Sequence, residues 1–427
     1  MNKEKSALQD FYLLWSSQAL SQLGSSVTAF ALTLWVYQKT GSALQTALLS
    51  ICSYTPYVLM SIFAGALTDK WNKKKTMLFC DLLAALGSIT VFVLIQKDLL
   101  QGWHLYLINA LSGLMNTIQG PASEVAITLV TPKDHFQKTS GLKSFSRSLI
   151  SILHPVIATS LYSIDGMDLV IAFDLITFFF AFFILLFLIR LPEDVLKHDE
   201  ESLIDSVRQG LQCLKENQIV LYLILFLSGV NLVASMFDAV LPAYILPQKN
   251  GGEQILGLVT SMAGLAMLLG SLTVSILPAP KDRVRVILFT MLFSLTTDNF
   301  LISLTDQPWT WCLAQIFGYF PVTIMSTNLE VIIRSTIPVR MQGRVYACRN
   351  TLQFFTIPVG FYLGGWLVDA VFEPYLFRLA PGHLFHRLFG EGLGSGAGML
   401  LFVLGIAGAV ICLVFGMILR KYHYREN

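Results

Sequence analysis

Gly65-Ala66-Leu67-Thr68-Asp69-Lys70-Trp71-Asn72-Lys73-Lys74-Lys75 ends one long apolar stretch and opens the next. Four lysines crowd a short gap between two runs that are each long enough to cross a bilayer. Loops of membrane proteins that retain Lys and Arg lie on the cytoplasmic side, so this gap is assigned there. The remaining basic residues fall mostly at every second gap. Lys3 and Lys5 precede the first run; Lys133, Lys138, Lys143 and Arg147 lie between the fourth and fifth; Arg190, Lys197, Arg208 and Lys215 lie between the sixth and seventh. Lys281, Arg283 and Arg285, then Arg334, Arg340, Arg344 and Arg349, and finally Arg420, Lys421 and Arg425 continue the alternation. These gaps and the two termini hold 24 of the 29 Lys and Arg, and the other gaps hold five: Lys39, Lys97, Lys249, Arg378 and Arg387. Twelve spans with both termini in the cytoplasm produce that asymmetry.

Composition agrees with a membrane protein. The chain has 427 residues, 54% hydrophobic and 13% charged, where a soluble domain has roughly a quarter charged. Apolar windows of about 20 residues, the length of a spanning helix, run near 11–37, 44–67, 76–95, 103–128, 142–163, 167–189, 219–246, 254–277, 286–304, 309–333, 345–369 and 397–419. Barrel strands alternate apolar and polar over about ten residues, and these runs are continuous, so the expected fold is all-α. The first run is too long for a signal-peptide core and is expected to remain as a span. A net charge of +2 implies no nucleic-acid partner. The six cysteines show no CxxC or Cys/His metal spacing, so neither a disulfide nor a metal is expected. No Gly-x-x-x-x-Gly-Lys-Ser/Thr run is present; no cofactor is expected, and a gradient must supply the energy.

The longest basic gap divides the chain into a half of six spans over 1–189, a linker over 190–218 and a second half over 219–427. The linker starts acidic, Glu193 to Glu201, and continues with Leu203, Val207, Leu211 and Leu214 at helical spacing, which predicts an amphipathic helix lying flat on the inner leaflet. An internal repeat supports the division. Glu124-Val-Ala-Ile-Thr-Leu-Val-Thr-Pro132 and Glu330-Val-Ile-Ile-Arg-Ser-Thr-Ile-Pro338 end the fourth and tenth runs with identical spacing, and Gly65-Ala-Leu-Thr68 and Gly270-Ser-Leu-Thr273 end the second and eighth. Transporters are commonly built from such repeats, here two halves related by a pseudo-twofold axis.

The Gly65-x-Leu67-x-Asp69 run and its basic cluster resemble the loop motif of the major facilitator superfamily. Phe11-Tyr-Leu-Leu-Trp15, Ser21-Gln-Leu-Gly24, Leu34-Trp-Val-Tyr37, Phe173-Asp174-x-x-Thr177-Phe178 and Gly343-Arg-Val-Tyr346 further resemble bacterial drug exporters of the macrolide-efflux type, over nearly the whole chain. The resemblance implies a monomeric multi-pass protein of the bacterial plasma (inner) membrane. It would expel hydrophobic compounds in exchange for protons, a multidrug antiporter conferring antibiotic resistance rather than an enzyme. It also implies that Asp69 faces the start of span 11 near Gly343, Arg344 and Arg349, and that Lys73, with Lys74 and Lys75, faces Glu124 at the end of span 4. The chain departs from the family pattern at Val274, where the second copy of the motif would carry its aspartate, and in span 5, where His154-Pro155-Val-Ile-Ala158 replaces the glycine-rich antiporter signature.

Ionisable groups in hydrocarbon cost about 3 kcal/mol or more, so each needs a reason. Asp81, Glu124 and Glu330 lie near basic loops and read as gate or helix-capping ion pairs. Asp369 reads as solvated at an outer end, and Asp298 as structural. Asp238 is the leading proton or substrate carrier, because Asn231, Ser235 and Asp238 recur on one helical face and burial makes a carboxyl's protonation reversible near neutrality; an aspartate hydrated at the outer mouth is the alternative. Asp174 is open between packing and proton transfer, as is His154, whose side chain ordinarily titrates near neutral pH. Gln18 and Gln22 share a face in span 1, and Asn116 and Gln119 share one in span 4. The long outer gap near 371–395 is expected to form an interfacial hairpin or lid. Two other functions remain open: a dedicated exporter of one endogenous compound, such as a siderophore or lysolipid, and a lipid scramblase.

Overall fold

The computed structural model describes residues 2–132, 135–189, 191, 203–380 and 382–420, and the side chains of 2–7, 62–70, 137, 203, 204, 206 and 339 lie outside that description. Every regular element among the described residues is helical: α1 Asn2–Thr40, α2 Ala43–Lys70, α3 Lys73–Gln96, α4 Gly102–Val130, α5 Phe136–Phe183, α6 Leu203–Glu216, α7 Gln218–Ile245, α8 Glu253–Ile276, α9 Arg283–Ser303, α10 Pro308–Thr336, α11 Val339–Phe354, α12 Thr356–Leu367, α13 Glu373–Phe377, α14 Leu384–Phe389 and α15 Ser395–Leu419. Helix is the form that satisfies every backbone N–H and C=O without water, which is why apolar runs of this length adopt it.

Nine helical stretches among the described residues are long and apolar enough to cross a membrane. The outward surface fits lipid: Ile276, Ile164, Phe289 and Phe187 stand 69–82% exposed, a pattern that water would penalise. α2 and α4 fall outside the set of nine. α4 is diluted by Asn109, Ser112, Asn116 and Gln119, and the 62–70 portion of α2 lies outside the described side chains. At 48 residues, α5 would reach roughly 70 Å if straight, more than twice the hydrocarbon thickness of about 30 Å. It breaks into two helical pieces at Asp165 (φ −146°, ψ 34°) and Gly166 (φ 58°, ψ −144°).

The chain forms two compact units, one of Met1–Trp35 with Cys52–Glu200, the other of Val36–Ile51 with Glu201–Asn427. In the first, Phe11 and Leu14 of α1, Met77 of α3, Ala122 and Ala126 of α4, and Leu185 and Ile189 beyond α5 form one buried cluster. Helix pairs in lipid approach through small residues, and Gly24 shows why. A Cβ there would lie 2.1 Å from Thr177 Oγ1 and 3.1 Å from Asp174 Oδ1, so α1 meets the second piece of α5 at a distance only glycine permits. Lys74 closes the far end of the same unit, donating to the carbonyls of Leu186 (2.9 Å) and Ile189 (2.8 Å), which a π-turn at Ile184–Leu188 leaves without helical donors.

In the second unit α10 packs between α8 and α9, α7 against α12, and α15 against α7 and α9. The expected linker helix is present as α6, and one side of it is buried against a neighbouring helix. Cys213 and Leu214 are buried, Arg344 of α11 donates to Gln209, and a Cβ on Gly210 would come within 2.8 Å of the Arg344 carbonyl and 2.7 Å of Cys348 Sγ. α6 is therefore docked on α11. Its acidic approach, Glu193 to Glu201, lies outside the described residues.

Asp369 also differs from expectation. Instead of being solvated, its carboxylate accepts from Ser42 Oγ (2.5 Å) and from the backbone N–H groups of Ala43 and Leu44 (both 3.0 Å), capping the start of α2. The long outer gap folds into α13 and α14. Glu373 of this segment accepts from the N–H groups of Gly394 (2.9 Å) and Ala397 (3.3 Å) at the start of α15.

A polar cavity in the first unit

Four helices of the first unit turn their polar faces to a common cavity of about 550 Å³. α1 contributes Gln18, Gln22 and Ser25; α3 contributes Asp81 and Ser88; α4 contributes Asn116, Gln119 and Glu124; α5 contributes Lys143, Arg147 and Asp174. Gln18, Gln22 and Ser25, Asp81 and Ser88, Asn116 and Gln119, and Lys143 and Arg147 recur three, four or seven apart, the spacing that keeps side chains on one face, while Asp174 comes from the second piece of α5. Trp15 and Phe178 add aromatic surface, and the Trp15 indole is fixed by donating to Ser146 Oγ at 3.2 Å.

The three carboxylates of the cavity are held differently. Asp174 is 6% exposed and both its oxygens accept hydroxyl bonds, Oδ1 from Ser25 at 3.3 Å and Oδ2 from Ser88 at 2.7 Å. Glu124 forms an ion pair with Lys143, and not with Lys73, whose ammonium donates to the Trp71 carbonyl at 3.1 Å. Asp81, also 6% exposed, accepts from Gln119 Nε2 at 2.6 Å through Oδ1. Its Oδ2 and Gln18 Nε2 are both buried, and the Gln18 amide faces the same carboxylate.

Six residues singled out from the sequence thus meet here: Gln18, Gln22, Asn116, Gln119, Glu124 and Asp174. His154 does not line this cavity. Its Nδ1 bonds the Ile150 carbonyl (2.9 Å) and its ring stands edge-on to Phe30. In the second unit, Asn231 donates to the Gln353 carbonyl (3.0 Å), and Ser235 bonds its own helix and packs so tightly on α12 that a Cβ on Gly360 would fall 2.0 Å from its Oγ. The shared face of Asn231 and Ser235 is spent on packing. Asp238 is exposed and accepts from the Tyr319 hydroxyl at 3.2 Å. Glu330 gathers Arg334 (2.7 Å), Arg349 (3.4 Å) and the Tyr346 hydroxyl. Lys75 takes part through its backbone, whose N–H is capped by Asn72 Oδ1 at 3.1 Å. The side chains of Gly65, Leu67 and Asp69 lie outside the described residues.

Asp81 is the residue that sequence reasoning misplaced. The neighbouring lysines suggested an ion pair at the helix end, whereas α3 turns Asp81 and Ser88 together into the cavity. The available signal was their spacing of seven in an otherwise apolar helix.

Long apolar helices that enclose a walled polar cavity are the build of a membrane transporter for small solutes. The chain belongs to the Major Facilitator Superfamily, whose family profile matches residues 14–360. It is 24% identical to the Macrolide efflux protein A of Streptococcus pyogenes over 87% of this chain and 92% of that one. It is 23% identical to the Multidrug efflux pump Tap of Mycolicibacterium fortuitum over 81% and 86% of the two chains. A solved bacterial homologue of the human lysosomal transporter Spinster superposes with a TM-score of 0.71 at 14% identity, covering 99% of both chains, and so shares the fold.

Proposed function

We propose that this protein is a secondary exporter of hydrophobic or amphipathic small molecules in a bacterial plasma membrane, working by alternating access in exchange for protons. The observation that carries this reading is the likeness to macrolide and multidrug exporters along most of both chains. The cavity supports it: aromatic surface from Trp15 and Phe178 suits an apolar solute, while buried Asp81 and Asp174 supply groups that exchange protons. Twelve spans with cytoplasmic termini is the topology in keeping with the charge layout, with α2 and α4 crossing and α5 counted as two spans. In this reading the Gly65–Lys75 loop, the Glu124–Lys143 pair and the Glu330–Arg349 pair form the cytoplasmic-side contacts that distinguish one conformation from another, and the protein acts as a monomer without a cofactor.

Accumulation of a radiolabelled macrolide in bacterial cells stripped of their own exporters tests the reading. Cells making the protein should hold less drug, and a protonophore should abolish the difference. Equal accumulation with and without the protein, across macrolides and unrelated hydrophobic drugs, would contradict it. Lowered accumulation of one compound alone would assign a dedicated exporter instead.

A further inference from the structure

Two of the five Lys and Arg residues that fall outside the basic gaps, Arg378 and Arg387, lie in one short segment, the hairpin of α13 and α14 between α12 and α15. Both are exposed, and among the described residues neither guanidinium pairs with an acid. The acids of the hairpin are turned elsewhere. Glu373 accepts from the N–H groups of Gly394 and Ala397, and Glu391 lies 3.7 Å from His386 Nδ1. The hairpin is also apolar on two sides. One side of α14 is seated on the protein: Phe389 is buried with its ring centre 5.7 Å from that of Phe402 on α15, and His386 Nε2 donates to the Leu376 carbonyl at 3.0 Å. The other side carries Leu384 and Leu388, four residues apart and both exposed. Phe377, Leu384 and Leu393 stand 63–64% exposed, which water would penalise. A Cβ on Gly396 would fall 2.4 Å from the Glu373 backbone nitrogen. The hairpin is therefore fastened to α15 instead of hanging free as a lid, and its exposed apolar side faces away from its own unit.

We propose that the α13–α14 hairpin is a binding site for anionic phospholipid. Phe377, Leu384, Leu388 and Leu393 enter the boundary between headgroups and acyl chains, where a short amphipathic segment is stable. Arg378 and Arg387 take the lipid phosphate, whose oxygens match the paired N–H groups of a guanidinium. Charge complementarity selects this occupant, because a neutral apolar partner would leave both arginines unanswered. Continuity with the lipid-facing surface agrees: Trp366 of α12 and Val403 of α15, each within about three helical turns of the hairpin, are exposed as well. The inference goes beyond export and rests only on the membrane topology proposed above, which puts the hairpin in the outer leaflet.

The test uses the full chain, one copy per phosphatidylcholine nanodisc, with a minor share of phosphatidylglycerol carrying a photoactivatable diazirine near the ester end of one acyl chain. After illumination, mass spectrometry should find the probe on peptides covering 375–393. A phosphatidylcholine probe with the same diazirine should label them at least about fivefold less, measured against α15 peptides, since each arginine near an anionic headgroup favours it by about that factor. The double variant Arg378→Gln, Arg387→Gln should lose this headgroup preference with α15 labelling unchanged. Glycerol phosphate in solution, which has the headgroup chemistry without the chains, should not compete. Absence of probe from 375–393 while the spans are labelled, equal labelling by the two lipids, or competition by glycerol phosphate would overturn the assignment. Labelling that is lost when two copies share a disc would give the surface to a second copy of the chain instead. Both faces of a disc are open to the probe, so none of these results depends on which side is outer or on what the protein exports.

Discussion

Replacing Asp369 with alanine should loosen the start of α2. The carboxylate is the acceptor for the N–H groups of Ala43 and Leu44, both at 3.0 Å, and for Ser42 Oγ at 2.5 Å. The two amides belong to the first turn of the helix, where no preceding carbonyl can serve them. Ser42 Oγ keeps a role after the substitution, since it accepts from the Gln45 N–H at 3.0 Å. What is lost is a charged cap on two amides. Losing an N-cap costs about 0.5–2 kcal/mol and a hydrogen bond to a charged group contributes about 1.5–3 kcal/mol. The partners are only part-buried and recover water when opened, so about 2 kcal/mol is the expected local loss. That corresponds to a rise of roughly 30-fold in the open fraction. Hydrogen exchange of the wild-type and Asp369→Ala proteins, read by mass spectrometry on peptides covering 41–50, should show Ala43 and Leu44 exchanging faster by about that factor, with peptides from α8 unchanged. Asp369→Asn, which keeps one acceptor oxygen, should fall between. Wild-type exchange rates at Ala43 and Leu44 in the alanine variant would refute the cap.

Three further substitutions probe separate contacts. Gly24→Ala places a Cβ 2.1 Å from Thr177 Oγ1 and should cost about 1–3 kcal/mol of overpacking, lowering the yield of monodisperse protein, whereas Gly120→Ala, with nothing within 4 Å, should not; equal yields would remove the close approach of α1 and α5. Around Glu330, double-mutant cycles on thermal unfolding should give Arg349, whose side chain is 17% exposed, a coupling of about 1 kcal/mol, and Arg334, 69% exposed, under about 0.5 kcal/mol; the reverse order would be inconsistent with the burial seen. Asp69→Asn should reduce transport with normal expression if, as proposed, the loop distinguishes one conformation from the other, and unchanged transport in vesicles would remove the loop from the mechanism.

The positions of the long helices were legible because a bilayer forces one solution on continuous apolar runs. So were the faces carrying Gln18 with Gln22 and Asn116 with Gln119, since helical periodicity alone sets them. What escaped was decided by partners distant in the chain. Ser235 shares a face with Asn231, yet whether that face meets solvent or another helix depends on Gly360 lacking a side chain. Asp369 looked solvated because its donors, Ser42 to Leu44, stand more than three hundred residues earlier. The α6 stripe marks an amphipathic helix, but its seat on α11 depends on Gly210 lacking a side chain. Asp81 was read by its basic neighbours in sequence, when the rotation of α3 aims it at Gln119.

Transport in proteoliposomes containing only this protein decides whether it couples export to protons. With an imposed pH gradient, several chemically unrelated hydrophobic dyes should move against their concentration gradients, and the movement should stop when a protonophore collapses the pH difference. Dye movement that is the same with and without the gradient, or flipping of labelled lipid in its place, would contradict proton-coupled export.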